Sequence, residues 1–190
     1  PIPPKPAGPG RRDEQWSSQF SEVTGPTGRG LREAEKAYAG KRNNVCCWDA
    51  ARAMVQQKGL TIINDNPRRI PTIFQGKTGT TWILNEQAVL GLRYIDQELE
   101  AGHPVFTGVD DGRITSYNND GTTEHFIVIV GRTVSANVVP YRFFDPGTRH
   151  GALKGFSPNN TLTLLKDNTL RGKKPGTDKM YTVAQIRQNQ

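Results

Sequence analysis

Apolar residues recur along this chain with two different periods, and the change from one to the other divides it. In the first half they return every three or four positions. Leu31, Ala34, Ala37 and Tyr38 share a face over 31–38, and Ala50, Ala51, Ala53, Met54 and Val55 share one over the stretch that ends at Gly59. Ala88, Val89, Leu92, Ile95 and Leu99 form the stripe of Asn85–Glu100, closed by Gly102. Spacing of this kind predicts three helices, the second capped by Asn43-Asn44. Its alanine-rich face allows another element to approach closely.

After Gly102 the period drops to two, or to unbroken apolar runs. Pro104–Val109, His125–Val130, Val138–Phe144 and a short Leu162–Leu165 read as strands. Asn118-Asn119-Asp120-Gly121 supplies a turn, and Gly131 and Asp145-Pro146-Gly147 stop the strands before them. Residues 168–190 are polar and predict only a weak terminal helix. Helices first and an antiparallel sheet afterwards give an expected α+β fold, with N-terminal helices packed on the sheet.

The 190 residues suit one domain of ordinary size with a lead-in. Residues 1–30 read as a Pro/Gly-rich linker and lead-in, with Pro1, Pro3, Pro4, Pro6 and Pro9 forming a semi-rigid spacer, and 31–190 as the domain proper. A start on proline rather than methionine suggests a piece of something longer. No run approaches ~18 apolar residues, so no membrane-spanning helix is expected. Two adjacent cysteines, Cys46 and Cys47, cannot staple a fold. Net charge is +7, but the basic residues occur in clusters of two or three without interleaved aromatics, the pattern of solvated loops rather than of a nucleic-acid surface.

Three residues carry candidate chemistry. Cys47 stands where a polar loop enters the alanine-rich helix, and a thiol at a helix N-terminus has its thiolate favoured by the backbone N–H groups and the dipole. His125 opens the most apolar strand. Asp145 ends the following one, 20 residues on, so antiparallel pairing of the two strands brings the start of one beside the end of the other. A carboxylate there fixes the tautomer of the imidazole, and the imidazole activates the thiol.

These residues sit in segments that resemble papain-like cysteine peptidases, especially the bacteriocin-processing (double-glycine) peptidase group. Cys47-Trp48-Asp49-Ala50-Ala51-Arg52-Ala53-Met54-Val55 is similar to the nucleophile helix, and Leu99–Val105 to the helix-to-strand segment ending in Gly-x-Pro-Val. His125–Gly131 is similar to the histidine strand and Phe143-Phe144-Asp145-Pro146 to its Asp-Pro end. The resemblance covers roughly 35–150 and implies a papain-like fold, with Cys47 as nucleophile, His125 as base and Asp145 as orienter, no metal and no cofactor. It departs from the family at the oxyanion hole: six residues before Cys47 the usual glutamine is replaced by Lys41. Lys41, Asn43 and Asn44 are the candidates for that donor.

The linker and small hydrolase domain also resemble the C-terminal toxin domains of bacterial secreted effectors of the type VI kind. That implies an upstream delivery module, a protein substrate in the cytoplasm of a target cell and a cognate immunity protein, for which the basic surface favours an acidic one. The alternative is a peptidoglycan amidase acting in the periplasm. A nucleic-acid-binding or nuclease domain ranks last, for want of a carboxylate cluster and an aromatic platform. Gly76-Lys77-Thr78 is no phosphate loop, because Pro71 stands where its first glycine belongs. Adjacent cysteines with His103, His125 or His150 make a poor tetrahedral zinc site.

Overall fold

The structure is a computed structural model that describes residues 47–56, 58–62, 67–75, 81–112, 122–132, 140–146, 157 and 159–190. Among these are two helices, α1 (Cys47–Gln56) and α2 (Asn85–Glu100), and nine strands. The strands are β1 (Arg69–Pro71), β2 (Ile73–Gln75), β3 (Thr81–Ile83), β4 (Val105–Asp110), β5 (His125–Arg132), β6 (Pro140–Phe144), β7 (Thr161–Leu164), β8 (Leu170–Lys173) and β9 (Met180–Arg187). The helix expected at 31–38 lies outside the described residues.

All pairings are antiparallel. The sheet runs β1-β9-β4-β5-β6-β7-β8, and β8 pairs back onto β9, so the six strands from β4 to β9 close into a barrel. One side of β9 is shared: Tyr181 and its neighbours pair with β8, whereas Gln185–Arg187 pair with the short edge strand β1. A separate hairpin joins β2 to β3.

This architecture corrects the expected papain-like α+β fold. The described chain is mostly antiparallel β around a closed six-stranded barrel with two short helices, not a layer of N-terminal helices on an open sheet. The largest change comes from 168–190, where the expected weak helix is instead β8 and β9. In β9 the polar side chains Gln185 and Arg187 are buried along with Tyr181, Val183, Ala184 and Ile186, so the polar/apolar alternation that marks a strand is absent from the sequence. Beta1 was hidden by its length and its proline, which a sheet tolerates at an edge.

Pleating sorts the core into two clusters. Inside the barrel, Val105, Val109, Ile127, Ile129, Tyr141, Phe143, Leu162, Leu170, Tyr181 and Val183 pack with Ile95 and Leu99 of α2. On the outer face of β4 and β5, Phe106, Phe126, Val128, Val130 and Phe144 pack against Ala51 and Val55 of α1. Helix α2 lies close over β9 because Gly91 carries no Cβ; one there would collide with the Ile186 side chain. Asp96 of α2 accepts from the Tyr141 hydroxyl at 3.0 Å and pairs with Arg132, which fixes α2 beside the end of β5 remote from His125. The segment after α1 is tied to the C-terminus by reciprocal backbone bonds between Thr61 and Gln190.

Candidate active site

Beta5 begins with His125, opposite Val109 of β4. The residue is 7% exposed and lies on the barrel-interior face of its strand, the face of Ile127 and Ile129. Beta5 and β6 pair so that Val128 faces Phe144, which brings the residue after β6, Asp145, back beside the start of β5. His125 Nε2 and Asp145 Oδ1 are 2.6 Å apart in a buried contact. A carboxylate only accepts, so Nε2 carries the proton and Nδ1 is the basic nitrogen of the neutral ring.

Among the described residues, Tyr181 and Lys174 also stand at this end of the barrel. The Tyr181 hydroxyl donates to Asp145 Oδ2 at 2.8 Å, and its ring stacks on the imidazole with centroids 5.6 Å apart and planes 18° from parallel. Lys174 Nζ lies 5.6 Å from the centre of the Tyr181 ring and donates to Asp111 Oδ2 at 2.6 Å. Before β5, Glu124 accepts from the Asp111 backbone N–H at 3.2 Å. Burial, with the neighbouring Asp110 carboxyl, pushes the Glu124 carboxyl up to about 7.

Cys47 is the first residue of α1, at the positive end of the helix dipole. The helical period puts position 47 in line with Ala51 and Val55, through which α1 packs on the sheet. Its neighbour Trp48 packs edge-on against Phe106 at 4.6 Å and Phe126 at 5.0 Å, and the Arg187 guanidinium lies over the indole at 5.2 Å. Phe126 adjoins His125, so the head of α1 rests beside the strand end that carries the imidazole. Next to it, Gln185 Nε2 donates to Thr123 Oγ1 at 2.6 Å across Gly108, where a Cβ would lie 2.7 Å from both side chains.

The structure thus joins two of the three expected residues in direct contact and sets the third at the head of the helix seated on the adjoining residue. Lys41, Asn43 and Asn44, the oxyanion-hole candidates, lie outside the described residues, as do Cys46 and His150. His103 stands apart from the site, paired with Glu98 at 3.1 Å after α2. Among the described residues no group of three or more His, Cys, Asp or Glu is arranged to hold a metal. Sequence reasoning missed Tyr181, which the pairing of β9 with β4 and β8 brings to the pair, and with it Lys174, which lies by the Tyr181 ring and donates to Asp111. No family model matches the chain, and no curated protein or solved structure matches it.

Proposed function

We propose that the chain is a thiol hydrolase that cleaves peptide bonds, with Cys47, His125 and Asp145 as its catalytic residues. The observation that carries this reading is the buried His125–Asp145 contact of 2.6 Å at the strand end beside the head of α1. Asp145 holds the imidazole through Nε2, which leaves Nδ1 as the nitrogen that exchanges a proton with the Cys47 thiol. The thiolate attacks the carbonyl carbon, and the imidazolium protonates the departing amine. Water, deprotonated by the same imidazole, then hydrolyses the thioester and restores the thiol. The N–H groups of the first turn of α1 are suited to the oxyanion. The reading stands on this constellation and not on a papain-like fold.

The broader setting is that of a toxin domain delivered into a target cell, with an acidic immunity protein as inhibitor. It draws on the Pro/Gly-rich lead-in and the net charge of +7.

A second reading has an observation in its favour: His125 lies on the barrel-interior face, stacked on Tyr181, as a purely structural polar cluster would. Cysteine substitution separates the two. Cys47→Ala should remove hydrolysis of a cell-lysate protein set by at least about 10⁴-fold with an unchanged melt, whereas Cys46→Ala keeps most of it. Purified peptidoglycan assayed alongside tests the amidase alternative. Equal activity in wild type and Cys47→Ala would sink the hydrolase and leave the structural cluster.

A further inference from the structure

A buried carboxylate keeps its charge only if its oxygens are given donors, and at Asp145 the two oxygens have different ones: the imidazole on Oδ1 and the Tyr181 hydroxyl on Oδ2. Tyr181 reaches both members of the pair, the carboxylate through its hydroxyl and the imidazole through its face. It is itself fully buried in β9, and its ring is flanked by Lys174, whose ammonium is anchored on Asp111. A phenylalanine would fill nearly the same space, so the hydroxyl is the feature that packing alone does not call for.

We propose that Tyr181 is a positioning residue for the His125–Asp145 pair, its hydroxyl locking the carboxylate and its ring locking the plane of the imidazole. Its use in catalysis rests on the hydrolase reading above; the positioning itself does not. Among the described residues, the titratable and charged groups at this end of the barrel include His125 at the start of β5, Glu124 before it, Asp110 and Asp111 at the end of β4, Lys173 and Lys174 at the end of β8, and Asp178 and Lys179 before β9. Lys174 is already neutralised by Asp111. The Tyr181 hydroxyl is a neutral donor, so its removal changes the carboxylate's surroundings without changing the net charge.

The experiment is a pH titration of the full chain carrying ¹³Cγ-aspartate, with the Asp145 signal identified by its loss in Asp145→Asn. In Tyr181→Phe the Asp145 midpoint should rise by about one pH unit, the equivalent of one hydrogen bond to a charged group. With a hydrolysed substrate in hand, the acid limb of the rate profile should rise in parallel, and the loss should fall on kcat rather than KM. Should Tyr181→Phe not fold, 3-fluorotyrosine at position 181 keeps ring and hydroxyl while making the phenol a stronger donor, and it should move the midpoint down. A folded variant whose Asp145 midpoint stays at the wild-type value would overturn the assignment, however much its melting temperature changes. A shifted midpoint in a chain without hydrolytic activity would uphold the positioning role and reject the hydrolase.

Discussion

The two faces of β5 are built from adjacent residues of one strand and do opposite work. Phe126, Val128 and Val130 turn outward and meet α1 in a packed layer of aromatic and aliphatic side chains. His125, Ile127 and Ile129 turn inward, and the first of them is an imidazole bound to a carboxylate instead of a packing residue. Pleating separates neighbours in sequence by the thickness of the sheet, so a polar group can sit beside the most apolar run of the chain without disturbing its packing. The difference teaches where a polar pair is tolerated: at the strand's end, where its partners arrive from β6 and β9, and not in the middle. The head of α1 lies on the outer face, where Trp48 packs on Phe126, the residue that follows the imidazole in the strand.

If the inward end is chemical and the outward face is structural, substitutions on the two should separate rate from stability. Among substitutions on the two faces, the largest expected effect is at Asp145. Asp145→Asn keeps the shape but places an amide against the imidazole; it should lower kcat, by less than the ~10⁴ seen in serine triads because a thiol ionises more readily. Asp145→Ala should be worse, and single-turnover rates read beside thermal melts measure both. Full kcat in folded Asp145→Ala would make the two faces alike.

Next comes Trp48, which seats α1 on the outward face through Phe106 and Phe126. Trp48→Ala should cost about 3 kcal/mol in urea unfolding, as the loss of a packed aromatic does. A loss below about 0.5 kcal/mol would mean that α1 is held by something other than this layer.

The smallest effect concerns pH. Glu124 is raised from 4.5 to about 7 in the folded chain, so folding favours its protonated form. The stability it contributes is fully present below pH 4.5 and is lost as pH rises through about 7. Glu124→Gln should remove that slope from unfolding curves recorded between these limits, while leaving the outward face untouched. An identical slope in the variant would assign the titration to another group.

Much of this molecule could be read from the sequence. Helix α2 falls on the expected Asn85–Glu100, α1 begins within the expected second helix, and β4 to β7 lie within one or two residues of the expected strands. Each of these segments shows its burial on one face or as a continuous apolar run, which is what periodicity detects. The meeting of His125 and Asp145 was also legible, because it needs only two neighbouring antiparallel strands and a connection between them. The α+β class was wrong for one reason: β8 and β9 are the strands that close the barrel, and their segment looks polar.

What the sequence determined by itself, then, is the set of local elements and one local pairing, since short-range spacing and turn chemistry are written residue by residue. Tertiary structure alone decided the closure of the sheet, the burial of Gln185 and Arg187, and the arrival of Tyr181 at a carboxylate 36 residues earlier in the chain. Those outcomes depend on which strand edges meet. An edge pairs through backbone N–H and C=O groups, which all residues but proline share, so the choice of partner is made by the packing of the whole barrel and leaves no periodic mark on the chain.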